Sequence, residues 1–159
     1  MSAQSGHEHF IRTVTTKSAW YPSSVIPDVL LAQVKTVLAR FGGLDALWIF
    51  GSEASGRATA ESDVDLAALF AAPPTPLQLI AASAELEEVL GRPVDLVDLE
   101  AASPVLAMQA LSHGRLVAEG NARHRVRFMA ALPGRYEDAS TLRRSAERQL
   151  RARLGNGRA

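Results

Sequence analysis

Two short apolar runs bracket a Gly-Ser pair and a pair of aspartates, and this segment constrains the fold more than any other part of the chain. It reads LWIFGSEASGRATAESDVDLAALF. The first run ends in Gly51-Ser52, ten residues follow, and Asp63-Val64-Asp65 leads into the second run. Alternate residues of a strand project to one face. Asp63 and Asp65 are therefore expected side by side, roughly 7 Å apart at Cα. Two carboxylates about 5 Å apart repel by roughly 3 kcal/mol at an effective dielectric near 20. The residues after them, Val64 and Leu66 to Phe70, are core material rather than a solvated edge. A fold tolerates such a pair when a cation compensates, and magnesium takes oxygen ligands while leaving positions open for phosphates.

Gly51-Ser52 fits the same chemistry. Glycine lets the backbone approach a phosphate closely. Serine adds a hydroxyl and a backbone N–H, and a helix beginning there would favour an anion. Gly-Ser alone is a weak signal, and its weight comes from the spacing to the aspartates. A third carboxylate would complete a metal-plus-base site. The later run PVDLVDL offers Asp95 and Asp98, three positions apart and so on opposite faces of a strand. Asp95, nearer the strand start, is the favoured partner, and Asp98, near the strand end, is suited to capping the next segment of chain.

The rest of the chain supplies an α/β frame. A helix is expected from near Pro27, with Leu30, Val34, Val37, Leu38 and Phe41 as its stripe and Gly42-Gly43 as its stop. Strands are expected at 44–50, 63–70, 93–99 and 115–119. Thr75-Pro76 and Ser103-Pro104 are cap-plus-proline signals for helices ending at Gly91 and Gly114. Leu77, Ile80, Ala81 and Ala84 are the expected inward face of the first of these. The segment between the first two strands is too short for a long crossover helix, so those strands are expected to be antiparallel in a mixed sheet. The residues from 121 on read as helical, interrupted at Pro133-Gly134, with Leu142, Ala146, Leu150 and Leu154 on one face. The expected division is a loose segment over 1–24, a core domain over 25–120 and a helical tail over 121–159.

The formal net charge of zero hides an asymmetry. Residues 1–120 hold seven of the seventeen Lys and Arg and fourteen of the seventeen Asp and Glu. Residues 121–159 hold the other ten basic residues, all Arg, and three acids. Such a tail reads as a solvated helix, a nucleic-acid contact or a docking surface for an acidic partner. The chain has no cysteine, which removes disulfides and thiolate metal sites. It shows no long apolar run and no signal-peptide pattern, so a cytoplasmic protein without a membrane partner is the expectation. The histidines compete poorly as a site. His7 and His9 lie in the loose start, His113 is placed to cap carbonyls, and His124 among arginines reads as solvated. Trp48 reads as core, and Trp20 and Tyr21 as a cover for an apolar patch.

GSEASGRATAESDVDLAALF resembles the signature of the DNA polymerase beta-type nucleotidyltransferase superfamily. The Gly-Ser, ten-residue, Asp-x-Asp spacing is similar to that of its minimal nucleotidyltransferase (MNT) branch, the antitoxins paired with HEPN toxins. PVDLVDL resembles the family's third-carboxylate strand, and ASPVLAMQALSHGRLVAEG resembles the helix and strand that close the minimal domain. The tail, with Tyr136 and Asp138 as a Tyr-x-Asp, resembles the C-terminal helical region of these antitoxins. The resemblance covers roughly residues 27–150 and implies a polymerase beta-like α/β fold, a small mixed sheet flanked by helices with a C-terminal helical tail. It implies that Gly51 and Ser52 hold the nucleotide phosphates. It implies that Asp63 and Asp65 bind magnesium, two ions in all, and that Asp95 shares a metal and helps activate the attacking hydroxyl. ATP would be the substrate, with AMP passed to a tyrosine of a HEPN RNase toxin held in a hetero-oligomer. Two rival functions are a purely steric antitoxin and a transferase acting on a small molecule of the aminoglycoside kind. The chain carries no template-binding module, which argues against a nucleic-acid substrate. Many relatives carry Arg where this chain has Ser55, and the nearby Arg57 is the available substitute.

Overall fold

The computed structural model describes residues 26–59 and 62–155. The elements run α1 (Asp28–Arg40), β1 (Leu44–Ile49), α2 (Gly51–Ala54), β2 (Val64–Phe70), α3 (Pro76–Leu90), β3 (Val94–Asp98), α4 (Pro104–His113), β4 (Arg115–Glu119) and α5 (Ala122–Gly155). The four strands form one sheet in the order β3-β2-β1-β4. β1 pairs antiparallel with both β2 and β4, and β2 pairs parallel with β3, so the sheet is mixed as expected. The expectations for the N-terminal segment, His7, His9, Trp20 and Tyr21, and for the side chains of Leu150 and Leu154, lie outside the described residues.

Strand alternation divides the core in two. Leu47 and Ile49 of β1, Val64, Leu66, Ala68 and Phe70 of β2 and Leu96 of β3 face α1 and α3. Val34 and Leu38 of α1 and Ala82 and Leu86 of α3 meet them there. The alternate set, Ala46, Trp48, Ala67 and Leu69, faces α4 and α5 through Ala107, Ala110, Leu111, Phe128, Met129 and Leu132. The near-continuous apolar runs of β1 and β2 have their cause here, because the central strands are covered on both faces. Trp48 is fully buried.

The helix ends obey local chemistry. Thr75 and Gln78 form a reciprocal capping box ahead of Pro76. Ser103 Oγ accepts the Leu106 N–H, and Pro104 occupies the first helical position. Gly91 ends α3 at a φ of 65°, the left-handed conformation that favours glycine.

Three expectations are corrected. Leu77 and Ile80 are 76% and 67% exposed, and Ala81 and Ala84 also face outward. The inward side of α3 is instead Ala82 and Leu86, with Leu79, Val89 and Leu90 packed beside them. This helix carries two apolar stripes, and helical periodicity alone cannot choose between them; contact with α1 and β3 does. Pro133 does not interrupt the tail helix, which is continuous across it. Proline there removes one helical donor, but Phe128, Met129, Leu132 and Pro133 itself are buried, and this packing of the turns up to and including the proline holds the helix. His124 is not solvated among the arginines. Its side chain is largely buried, with Nδ1 2.6 Å from Asp45 Oδ2 and Nε2 3.6 Å from Glu100 Oε1.

Candidate functional site

The Gly51-Ser52 turn, Asp63, Asp65 and Asp95 meet at one end of the sheet. β1 runs antiparallel to β2, so its C-terminal end lies beside the start of β2. The Phe50 N–H donates to the Asp65 carbonyl at 3.0 Å and ties the two together. β2 and β3 are parallel with Asp65 directly opposite Asp95. Side chains opposite each other in adjacent strands lie on the same face, so both carboxyls stand on the face of Ala67 and Leu69. Asp63 immediately precedes β2 and is exposed, Asp65 is half-buried and Asp95 is exposed.

Asp65 is the centre of this group. Its carboxyl is raised above the usual value of 3.8, first by burial and then by the negative charges of Asp95, Asp63 and Glu53. A hydrogen bond from the Ser52 backbone N–H acts in the opposite sense. Gly51 makes that contact possible. It adopts a φ of 63°, and a Cβ there would stand 2.0 Å from Asp65 Oδ2. The turn therefore admits no side chain at residue 51, because the aspartate occupies the space.

Asp98 lies elsewhere. It pairs with Ala68, is buried on the α1–α3 face and accepts the Glu100 N–H at 3.1 Å. Burial raises its carboxyl, and backbone N–H groups of Glu100 and Ala101 partly offset that. The structure brings Asp95 to Asp65 and makes Asp98 the cap of the turn after β3.

Beside the acids a cleft of about 550 Å³ is lined by Phe50, Gly51, Ser52, Ser55, Arg57, Gln109 and His113. Ser55 Oγ donates to the Ser52 carbonyl at 3.0 Å, as does the Arg57 backbone N–H. The Arg57 guanidinium reaches Ser55 Oγ at 3.4 Å, so its charge sits at the mouth of the Gly-Ser turn. Gln109 and His113 come from α4, four residues apart on one helical face. His113 Nδ1 lies 3.3 Å from the Gln109 carbonyl, the capping position expected for it, and its ring also faces the cleft. Sequence reasoning missed Gln109, Glu53 and Arg92. The last two lie under the site and form an ion pair, Arg92 Nη1 to Glu53 Oε1, at 2.5 Å. The visible signal for Arg92 was its place three residues before Asp95.

The donor set is all oxygen, which suits magnesium rather than a thiolate- or imidazole-preferring ion. Among the described residues no three His, Asp or Glu side chains close into a metal cage of their own. Magnesium does not need one, since it is usually held by one or two carboxylates together with substrate phosphates. The crowded negative charge on Asp65 is the feature that a divalent cation would relieve.

No helix among the described residues is long and apolar enough to cross a membrane. Several solved structures share the fold. A crystal structure of a toxin-antitoxin with AMP-PNP contains a chain that matches at a TM-score of 0.68 and 22% identity, over 79% of this chain and 98% of that one. A crystal structure of the toxin-antitoxin MntA-HepT gives 0.63 and 22%, over 78% and 98%. A structure of a tri-AMPylated Shewanella oneidensis HEPN toxin in complex with an MNT antitoxin gives 0.62 and 22%, over 77% and 97%. No curated protein matches the chain. The sequence profile described as "Polymerase beta, Nucleotidyltransferase" matches residues 32–123, a stretch that holds the Gly-Ser turn, all three aspartates and the whole sheet. The chain belongs to the polymerase beta nucleotidyltransferase family.

Proposed function

We infer that this protein is an antitoxin that transfers AMP from ATP to a tyrosine of a HEPN RNase toxin and neutralises it by modification and complex formation. The observation that carries the reading is the convergence on Asp65 of Asp63, Asp95 and the Ser52 N–H, beside a cleft that opens on Gly51-Ser52. The shared fold of toxin-antitoxin structures, one with AMP-PNP and one with an AMPylated HEPN toxin, supports the choice of substrate and partner.

In the reaction, the tyrosine hydroxyl oxygen bonds to the α-phosphorus of ATP. The bond from that phosphorus to the bridging oxygen breaks, and pyrophosphate leaves. Such chemistry needs positioning and charge stabilisation more than a special protein nucleophile. Magnesium, two ions held by Asp63, Asp65 and Asp95, would supply positive charge against the phosphate oxygens. Asp95, exposed where Asp65 is half-buried, accepts the proton of the attacking hydroxyl. Gly51 and Ser52 present backbone and hydroxyl to the phosphates, and Arg57 adds a cation on the same side of the cleft. Ser55 stands where many relatives carry Arg, and its hydroxyl braces the Arg57 guanidinium from below. ATP and magnesium point to a cytoplasmic setting.

The test is incubation with labelled ATP, magnesium and the cognate HEPN toxin, with Asp63→Asn and Asp65→Asn variants alongside. Label on a toxin tyrosine and released pyrophosphate are expected for the parent chain, and neither for the variants. An unlabelled toxin that still binds and is silenced would replace the enzymatic reading by steric blocking. Absence of binding altogether would move the activity to a small-molecule acceptor.

A further inference from the structure

Beneath the acidic site lies a second layer of polar contacts that the transfer reaction does not use directly. Arg92 sits in the turn between α3 and β3, three residues before Asp95. Its guanidinium reaches two other parts of the chain, at three residues. Nη1 lies 2.5 Å from Oε1 of Glu53, on α2 just after the Gly-Ser turn. Nε donates to the Ser62 carbonyl at 3.0 Å, and Nη2 donates to the same oxygen at 2.5 Å. Nη2 also donates to the Thr59 carbonyl at 3.2 Å. The loop closes on itself at this point, with the Ser62 N–H bonded to the Thr59 carbonyl and the Thr59 N–H bonded to Ser62 Oγ. Ser62 is the residue before Asp63. The Pro93 carbonyl accepts the Val64 N–H at 2.9 Å, which joins the start of β3 to the start of β2.

Glu53 gives the arrangement its specificity. Its side chain is fully buried, yet no aligned hydrogen bond reaches either carboxylate oxygen among the described residues. Arg92 supplies the opposing charge. A buried carboxylate with one cation for company and no hydrogen bonds is costly to bury, and removing that cation would leave it uncompensated. Here Glu53 also adds to the negative charge felt by Asp65. One planar fork thus bridges α2, the loop that delivers Asp63 and the strand that delivers Asp95. Lysine, a point charge on a flexible stem, cannot bridge all three.

We propose that Arg92, anchored by the buried Glu53 carboxylate, is a positioning residue that fixes the spacing of Asp63, Asp65 and Asp95 and so sets the affinity of the site for a divalent cation. The proposal rests on the nucleotidyl-transfer reading of that site. It assigns to Arg92 no contact with substrate. Groups that orient metal ligands from behind typically change metal affinity by about 10- to 100-fold when replaced.

The test compares the full chain with Arg92→Lys and Glu53→Gln. The probe is Mn2+, whose binding is read by electron paramagnetic resonance, together with hydrogen exchange across the segment holding Thr59 and Ser62. R92K is expected to weaken Mn2+ binding by about 10-fold. It is also expected to speed exchange in that segment while exchange in α4 and α5 stays at the parent rate. Unchanged Mn2+ affinity, or faster exchange spread evenly over the whole chain, would overturn the proposal. Should R92K fail to fold, E53Q carries the test. It frees Nη1 but keeps the arginine, and it is expected to speed exchange in the same segment and weaken Mn2+ binding; parent-like values for both overturn the brace. A parent chain that binds no Mn2+ even with a non-hydrolysable ATP analogue present would sink the nucleotidyl-transfer reading, and the exchange comparison would still decide whether Arg92 holds the loop.

Discussion

Charge is concentrated in two regions of this molecule, and the two treat it differently. At the end of the sheet, Asp63, Asp65, Asp95 and Glu53 are held by strand register and a tight turn, and burial first, then their mutual repulsion, raises the Asp65 carboxyl. In the second half of α5, Arg143, Arg144, Arg148 and Arg151 are exposed, and the contacts among them are local, such as Arg144 Nε to the Ser140 carbonyl and Arg143 to Glu147 at 4.0 Å. Exposed charges are screened by water and salt. The half-buried Asp65 and the buried Glu53 are screened less, and a cluster of one sign around them favours an opposite charge. The same helix shows the contrast along its length. Its first half is pinned by Phe128, Met129 and Leu132, by the His124–Asp45 contact and by Arg135 over the Phe128 ring at 5.6 Å. Its second half carries Leu142 at 71% exposure.

The comparison can be broken first at Asp65. Asp65→Asn is expected to lower nucleotidyl transfer by at least about a thousandfold, the effect of losing several kcal/mol of charge stabilisation. In chelator it is expected to raise the thermal midpoint, because it removes a repelled charge. The sign comes from linkage. A carboxyl raised in the folded state keeps its proton at pH values where the unfolded chain has lost it, so the stability of the metal-free parent falls as pH rises through that window. The gain from D65N should accordingly be largest at neutral pH and shrink as pH falls toward 3.8, the ordinary value for the group. A lower midpoint for D65N at neutral pH in chelator would show that the cluster is not under charge strain.

Gly51→Ala comes next. The added Cβ collides with Asp65 Oδ2 and the backbone is held at positive φ. Loss of activity of about 100-fold is expected from the displaced carboxylate. Initial rates at saturating ATP measure it, and an active variant would mean that Gly51 and Asp65 do not share the working geometry.

Two further measurements sharpen the contrast within α5. Leu132→Ala should cost about 2–5 kcal/mol in denaturant unfolding, because the side chain is fully buried between α4 and the sheet. Arg144→Gln and Arg148→Gln together should change stability by no more than about 0.5 kcal/mol. If the arginine variants destabilise as much as L132A, the distal half of α5 is packed rather than solvated.

Much of this was legible in the chain itself. The cap-plus-proline pairs at Thr75-Pro76 and Ser103-Pro104 marked both helix starts, because a side-chain acceptor followed by proline has few other local uses. The antiparallel pairing of β1 and β2 could be read from a connection too short for a crossover. Asp63, Asp65 and Asp95 stood out as carboxylates in otherwise apolar runs. The sequence showed the inward face of α3, the continuity of α5 through Pro133 and the partner of His124 poorly or not at all. Each depends on what packs against it rather than on its neighbours in the chain. Two apolar stripes on one helix are equivalent until another helix covers one of them.

The division has a physical reason. Local sequence determined where strands and helices begin and end and which carboxylates lie in the apolar runs, since backbone preference and side-chain ionisation are properties of a few consecutive residues. Only the tertiary structure decided that Asp95 rather than Asp98 stands opposite Asp65, that Gly51 has no room for a side chain, and that Arg92 reaches Glu53, Ser62 and Thr59 at once. Register, clearance and bridging are distances between segments remote in sequence, and they take definite values only when the sheet closes.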